Sequence, residues 1–275
     1  MNRISELVEI IKELGGEAYY KDICLAYEKK FRDSLSQEQK ITIAKTLNEN
    51  PELVFMNEDN SKWTLAIKKA KASIINEDAS MLFCNIAYMK YYKGINENDK
   101  PYNGGKYIDV TGNAGEKNNF LPRPNGYTDG FAEPGFTSGG YNGGGTQRQI
   151  HIEKVNISAK GEDRLSDVLV IMCARSPITK KTTIVGWYEN ATVYRNVIHL
   201  MSNNGEQGWK TIECKNEDAH LIEEKNRTFI IPRASIDGIG FGQSNYWYAD
   251  SNNAKELKKK VITYINEMKK IQRAN

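Results

Sequence analysis

The pattern of the chain changes between residues 67 and 80, and this change favours a two-domain organisation. Before it, apolar residues recur at helical spacing; after it, short apolar runs alternate with stretches rich in Gly, Asn and Pro. A chain of 275 residues suffices for two ordinary domains. We expect a domain over 1–67, a linker over 68–79 and a second domain over 80–275. The linker's basic run, 68–71, would either contact phosphate or end a solvated helix.

The first domain is predicted to contain three helices and a β-hairpin. Apolar periodicity predicts a helix at the start of the chain and another over 20–31, and a third begins at a capping box formed by Ser36 and Gln39. Two short strands, 53–55 and 63–65, are separated by turn-forming residues. Three helices followed by a hairpin is the order of a winged helix.

The hairpin ends in Trp63-Thr64-Leu65, and the arrangement resembles the winged-helix modules of restriction enzymes. That resemblance implies a third helix lying in the major groove of DNA. This domain has no excess of basic residues, so a protein–protein adaptor is the alternative. The residues expected to contact the DNA backbone or grooves are Gln37, Lys40, Lys45 and Asn48 on the helix and Lys62 on the hairpin.

The second domain is predicted to be rich in strands. A strand is expected over 81–86, and the run 168–174 is apolar throughout, as in a strand buried on both faces. A small, mostly antiparallel β-barrel with flanking helices fits best, which makes the whole chain α+β. Further strands are expected over 149–155, 183–188, 191–194 and 228–231, and a closing helix over 253–271.

The segment 96–145 is rich in Gly, Asn and Pro and has little periodicity. Long ordered loops often carry functional residues, so this segment is either functional or a mobile surface excursion.

The composition limits the kinds of binding site and the cellular location expected for this chain. The cysteines are widely spaced without a C-x-x-C pair, so we expect buried reduced thiols, no metal site and no cofactor. A net charge of +3 neither demands nor excludes nucleic acid. No apolar run approaches the ~20 residues that span a bilayer. The first residues lead directly into an amphipathic helix, so we expect no secretory signal and a soluble cytoplasmic protein.

Three strings in the second domain, 82–92, 185–195 and 242–250, together resemble a domain that often precedes an HNH nuclease in modification-dependent restriction proteins. The resemblance covers about 80–270 and extends to the PUA-like group, which includes the EVE, YTH and SRA readers of modified bases. It implies a PUA-like fold and double-stranded DNA carrying a modified base as the partner. The chain departs from that pattern because none of its three histidines has an HNH-like context. A separate nuclease subunit or domain would then cut the DNA, and this chain would bind without a catalytic residue of its own.

A protein that recognises a modified base flips it out of the duplex and stacks it on aromatic rings, at roughly 1–3 kcal/mol per base. Neighbouring strand residues point to opposite faces, so we expect Trp187 and Trp247 to line the pocket rather than both members of each aromatic pair. Trp187 would precede a tight turn, and Gly240 and Gly242 would allow a backbone or ligand to approach closely. The full set of candidate pocket residues is Asn85, Tyr88, Trp187, Tyr188, Asn190, Tyr194, Trp247 and Asp250. The phosphate-contact candidates in this domain are Arg148, Lys154, Arg195 and Arg233.

The sequence thus predicts a DNA-binding protein of a modification-dependent restriction system. One alternative is a metal-dependent nuclease within the chain, using acidic residues near 151–154 and 162–167. A second is a glycosylase, which needs only one acid and a pocket for the flipped base. A third is a regulatory module that binds protein and not DNA.

Overall fold

The structure is a computed structural model that describes residues 3–15, 17–31, 34–50, 54–56, 62–65, 75–76, 78–138, 144–201 and 207–274. The chain forms two compact units, Met1–Ile74 and Ile75–Asn275. Their boundary falls within the predicted linker 68–79. The basic run 68–71 lies outside the described residues. No helix in the described part of the chain is both long enough and apolar enough to span a membrane.

The first unit contains three helices and a three-stranded antiparallel sheet with the order β1-β3-β2. The predicted helices and both hairpin strands are present, while the hairpin turn 57–61 lies outside the described residues. Its elements are α1 (Arg3–Glu13), β1 (Glu17–Ala18), α2 (Tyr20–Phe31), α3 (Gln37–Asn48), β2 (Val54–Met56) and β3 (Trp63–Leu65).

Local sequence signals explain this unit. The predicted capping box is confirmed: Ser36 Oγ accepts from the Gln39 amide at 3.2 Å, and Gln39 Oε1 accepts from the Ser36 amide at 2.7 Å. These bonds satisfy amide groups that a helix start leaves without partners. The apolar stripes of the three helices meet in a core that includes Leu7, Ile23 and Trp63.

The second unit is built on a seven-stranded sheet with the order β10-β4-β6-β7-β8-β5, and β9 pairs with β7. Its strands are β4 (Met81–Ile86), β5 (Tyr127–Gly130), β6 (Arg164–Arg175), β7 (Thr182–Met201), β8 (Gln207–Lys215), β9 (Ala219–Leu221) and β10 (Tyr246–Trp247). Its helices are α4 (Lys106–Thr111), α5 (Ala234–Asp237) and α6 (Lys255–Ala274), with short 3-10 turns between elements.

The pairing of β4 with β6 is parallel, with Met81 opposite Leu169 and Ile86 opposite Ala174. The other described pairings of this sheet are antiparallel. Since parallel strands need a long crossover, residues 87–163 leave one end of the sheet and return to the other. The Gly-, Asn- and Pro-rich segment 96–145 lies within this crossover.

Each face of the sheet is covered. Along β7, Tyr188 packs into one apolar cluster, while its neighbour Trp187 packs into the other. The second cluster includes the apolar face of α6, from Val261 to Met268. This alternation is the two-residue period of a strand, and it explains why the run 168–174 in β6 is apolar throughout.

The structure is α+β, as predicted, but three expectations about the second unit were wrong. The sheet is not a closed barrel, because within the described residues its short end strands β10 and β5 do not pair with each other. Residues 149–155 do not form a strand, and within them Ile152–Lys154 is a 3-10 helix. The strand expected over 228–231 is reduced to a single bridge between Ile230 and Thr183.

A fourth expectation, a turn at Glu189-Asn190, was also wrong. β7 runs through this point for 20 residues. Val168 and Val170 of β6 face Ala191 and Tyr188 of β7, so two residues of β7 oppose one of β6. Asn190 has a φ of 48°, which Asn tolerates better than most residues. The chain accommodates the extra residue as a β-bulge and continues.

Candidate functional site

A cleft of about 630 Å³ lies at the carboxyl end of β4. This volume falls within the range of small-molecule sites in proteins. Its walls are polar and come from distant parts of the chain: residues 85–87, residues 103–105, Glu116, residues 233 and 235, and residues 241–245.

Asn85 and Asn245, next to the β4–β10 pairing, connect two segments of the cleft wall through hydrogen bonds. The Asn85 amide N–H donates to the Asn245 carbonyl at 2.7 Å, and Asn85 Nδ2 donates to Asn245 Oδ1 at 3.4 Å. Asn245 Nδ2 in turn donates to the Glu133 carbonyl at 3.0 Å. Among the described residues, nothing donates to Oδ1 of Asn85. This oxygen is therefore open to a hydrogen-bond donor on a ligand.

Glycines allow the walls to come close together. A Cβ on Gly104 would lie 2.0 Å from Cδ1 of Ile108, and one on Gly240 would lie 1.9 Å from the Pro232 carbonyl oxygen. The close backbone approach expected at Gly240 is therefore confirmed. Gly242 lines the cleft, and a Cβ there would meet nothing within 4 Å.

Glu116 brings an acidic group to the cleft wall, although its residue is only 7% exposed. Burial raises the pKa of Glu116 to about 7, against the opposing effect of its own backbone amide and with a smaller contribution from Glu133. A carboxyl group with this pKa exists in both protonation states near neutral pH. Such groups in clefts are candidates for binding or catalysis.

Phe241 is the aromatic residue on the cleft wall. Its ring meets the edge of Trp247 at a centroid distance of 6.2 Å and an angle of 62°, and Trp247 packs on Phe83 at 4.6 Å. Phe241 is only 1% exposed and belongs to the core, and Trp247 packs against it without lining the cleft, whereas we had expected Trp247 to line the pocket.

The prediction that Trp187 lines an open pocket was wrong. Trp187 is 0% exposed, donates from Nε1 to Glu189 Oε1 at 3.0 Å, and stacks on His220 at 4.8 Å. Tyr188 is equally buried in the opposite cluster, where its hydroxyl donates to the Asn119 carbonyl. Both members of this pair are core residues because the sheet is covered on both faces.

Most of the other candidate pocket residues have partners elsewhere. Tyr88 donates to Glu224 at 2.9 Å, and Tyr194 donates to Glu213 at 3.1 Å. Asn190 and Asp250 are exposed and do not line the cleft. Of the predicted pocket residues, the cleft contains Asn85.

The candidate phosphate-binding residues divide into two kinds. Arg195 donates to Glu153 Oε2 and to the carbonyls of Glu162 and Ala159, at 2.7 to 3.0 Å. Its guanidinium is committed to holding the chain together, which corrects the prediction of a phosphate contact. Arg233, by contrast, is exposed and lines the cleft.

The remaining basic candidates of the second unit are exposed. Lys154 lies 5.5 Å from the centre of the Tyr248 ring, and Arg148 follows the Gly-rich segment.

On α3, the residues predicted to contact DNA lie on one exposed surface. Gln37, Lys45 and Asn48 are exposed, and Lys40 is partly exposed. Lys40 lies 3.6 Å from Glu28, and Lys45 lies 3.7 Å from Glu49. Lys62 lies over the Tyr19 ring at 5.2 Å.

Sequence reasoning missed Glu116, Phe241, Gln243 and Asn245 as cleft residues. Two signals pointed to them: a functional role was one of the two interpretations of the segment 96–145, and the string 242–250 carried the family resemblance. What the sequence does not show is that the crossover brings Glu116 to the carboxyl end of β4.

All four cysteines are buried and free, as expected. Among the described residues, no group of three or more His, Cys, Asp and Glu side chains is placed to hold a metal ion. Comparison of this chain with protein-family models, with curated proteins and with solved structures finds no match in any of the three.

Proposed function

We propose that this chain is a cytoplasmic DNA-binding protein of a modification-dependent restriction system, and that it takes a flipped, modified base into the cleft at the end of β4. The observation that carries the proposal is the grouping of a buried carboxyl, Glu116, with side-chain amides at Asn85 and Gln243 in one cleft. A flipped base is recognised by hydrogen bonds to its polar edge and by contact with its flat face. The cleft offers polar groups for the hydrogen bonds.

Extruding a base from a duplex costs a few kcal/mol. Phe241, the aromatic residue on the cleft wall, is only 1% exposed, so its ring does not stack on the base. In this proposal, hydrogen bonds to Asn85, Gln243 and Glu116 offset the cost of extrusion.

Arg233 supports the proposal from the rim of the cleft. A flipped nucleotide carries its phosphate with it, and the planar guanidinium group suits phosphate oxygens. Arg233 is exposed, and its position is set by its own backbone N–H, which donates to Asp237 Oδ2 at 3.0 Å.

In this proposal the first unit is a winged helix that adds contacts to the duplex, and the second is a PUA-like domain. The order of helices and strands and the exposed polar surface of α3 support the first interpretation. The three strings that resemble modification-dependent restriction proteins support the second.

The proposal is tested by binding the full chain to otherwise identical duplexes that carry 5-methylcytosine, 5-hydroxymethylcytosine, N6-methyladenine or no modification. We expect preference for one modified duplex, and Gln243→Ala should reduce that preference. Asp250→Ala, an exposed change away from the cleft, is the matched control. Equal affinity for every duplex would refute the proposal.

Base excision is the second candidate, because a glycosylase needs only an acidic residue and a cleft that holds a base. The same duplexes, heated in alkali after incubation, would break at abasic sites if a base had been removed. Intact strands would eliminate this candidate and leave the binding proposal standing.

A further inference from the structure

The cleft at the end of β4 offers polar groups to a ligand and almost no apolar surface. Its apolar side chains, Ile86, Ala87 and Phe241, are each at most 2% exposed. The other described lining residues are polar, charged or glycine. A methyl group gains from binding only where apolar surface receives it, because the hydrophobic effect is proportional to the apolar area removed from water. The walls of this cleft therefore suit a hydrophilic group better than a methyl group.

Three polar side chains on separate segments of the cleft wall are available to a ligand. Within the described part of the chain, the side chains of Asn103, Ser235 and Gln243 form no hydrogen bond. All three residues are exposed. A side-chain amide and a hydroxyl each offer both a donor and an acceptor. The cleft thus presents donors and acceptors together on more than one side.

The charges of the cleft balance. Among the described lining residues, the charged ones are Glu116 and Arg233, one of each sign. An anionic group inside the cleft would lie near the Glu116 carboxyl, and a cationic group would lie near the Arg233 guanidinium. Because like charges repel one another, the part of a ligand that lies inside the cleft is expected to carry no net charge.

The cleft has room for more than the ring of one base. Its volume of about 630 Å³ equals that of roughly twenty molecules of liquid water, each occupying ~30 Å³. A base ring with a methyl group would leave much of this space to water. A substituent at least as large as the base itself would fill it.

We infer that the cleft binds an uncharged, hydroxyl-rich group, which is the chemistry of a sugar. Each hydroxyl of a sugar can donate and accept a hydrogen bond, and a hydroxyl removed from water needs such partners. Asn103, Ser235 and Gln243 offer partners of both kinds. The sugar reaches the cleft from one of two sources, as a substituent on a flipped base or as a free saccharide. The first source rests on the proposed function and adds the class of modification, a glycosylated base in place of a methylated one.

The test measures binding of the full chain to two sets of probes. The first set is duplexes that differ in one central base, which is unmodified or is 5-methylcytosine, N6-methyladenine, 5-hydroxymethylcytosine or glucosylated 5-hydroxymethylcytosine. The second set is the α and β methyl glucosides, which are free saccharides. We expect the glucosylated duplex to bind most tightly, because it alone brings several hydroxyl groups into the cleft.

Two variants place that binding in the cleft. Asn103→Gly and Ser235→Ala should each weaken binding of the glucosylated duplex roughly three- to tenfold, the loss of one or two neutral hydrogen bonds. Asn103 has a φ of 59°, which glycine adopts freely, so this change removes the amide without straining the backbone. Ser251→Ala is the matched control, because Ser251 is exposed, lies outside the cleft and caps no backbone amide. Thermal unfolding of each variant is measured beside binding, and if one variant does not fold, the other decides.

Tighter binding of a methylated duplex, equal binding of the hydroxymethylated and glucosylated duplexes, or indifference of the glucosylated duplex to both variants would overturn the inference. If a methylated duplex were preferred, the proposed function would survive. Binding of the methyl glucosides that both variants weaken, without preference among the duplexes, would keep the inference with a free saccharide as the source and would overturn the proposed function. Equal binding of all duplexes with no binding of the glucosides would overturn both.

Discussion

Lys269 of α6 donates to Glu189 of β7 across 2.7 Å, although each side chain is only 9% exposed. The same carboxylate accepts from Trp187 Nε1 at 3.0 Å and lies 3.2 Å from His220 Nε2. One buried carboxylate thus ties the closing helix to the sheet. Glu189 sits in the bulge of β7, so the extra residue there places a charge against the helix.

Lys269→Ala should destabilise the second unit by about 3–5 kcal/mol, because removing one partner leaves Glu189 buried without its ammonium group. The measurement is urea unfolding of the full chain, followed by tryptophan fluorescence. Lys270→Ala, the exposed neighbour, should change stability by less than about 0.5 kcal/mol. Similar losses in the two variants would show that the ion pair contributes little.

The pKa of Glu189 also leads us to expect that stability depends on pH. Burial by itself would raise the pKa of Glu189, but hydrogen bonds from His220, Lys269 and Trp187 lower it to about 2. A carboxyl whose folded pKa lies below its unfolded value stabilises the fold above the unfolded pKa, and that contribution is lost as pH falls. Stability should therefore decrease between about pH 4.5 and pH 2. Denaturant midpoints across this range should fall less steeply for Glu189→Gln; identical slopes would contradict the assignment.

Arg233 and Arg195 should respond in opposite ways to the same substitution. Arg233→Gln should weaken DNA binding and reduce the slope of log K against log salt by about 0.9, the loss of one phosphate contact. Its thermal unfolding should not change, because the side chain is exposed.

Arg195→Gln should lower the unfolding temperature, because it removes charge-assisted bonds worth about 1.5–3 kcal/mol each. Its DNA affinity should match that of the wild type where the protein remains folded. Weaker DNA binding by Arg195→Gln, with unchanged stability, would show that Arg195 is the phosphate contact.

Gly240 and Gly238 give a matched pair in the segment that borders the cleft. Both have positive φ, 99° and 70°, so alanine strains either backbone by about 1 kcal/mol or more. A Cβ at Gly238 meets nothing within 4 Å, whereas one at Gly240 would lie 1.9 Å from the Pro232 carbonyl oxygen. Gly240→Ala should therefore lower the unfolding temperature, measured by calorimetry, more than Gly238→Ala does. It should also weaken the binding of DNA to the cleft. Equal effects of the two changes would mean that the contact with Pro232 is easily relieved.

Lys40→Ala together with Lys45→Ala should weaken binding to modified and plain DNA alike and should flatten the salt dependence. The control is Lys30→Ala, whose ammonium lies 2.9 Å from Glu9 and 3.0 Å from Glu13 in the same unit. Affinity and salt slope unaffected by the double change would favour the protein-adaptor alternative for the first unit.

Local patterns in the sequence were enough to predict the first unit. Its helices have apolar stripes, and Ser36 and Gln39 mark the start of α3 at the correct residue. The strand Met81–Ile86 and the apolar run within β6 were also predictable, because both are buried on two faces. Such features depend on residues close together in the chain.

The cleft was only partly predictable, because it depends on contacts between distant segments. Trp187 was chosen as an aromatic next to an apparent turn. Asn190 instead continues the strand through a bulge, and the ring is buried beneath α6. Arg233 and Asn85 were identified by residue type and by the family resemblance. Glu116 has no local signature: a single Glu in a Gly- and Asn-rich segment becomes notable only when its burial is known.

The parallel pairing of β4 with β6, and the antiparallel pairing of β10 with β4, have a consequence for the order of folding. Asn85 and Asn245, which meet in the cleft, are 160 residues apart in sequence. Contacts at such separation form slowly, since the entropy of closing the intervening loop opposes them until other contacts are in place. During synthesis, the chain therefore completes its cleft only after β10 has left the ribosome. A fragment that ends before residue 241 would lack one wall of the cleft, so ligand binding reports on the folding of the second unit as a whole.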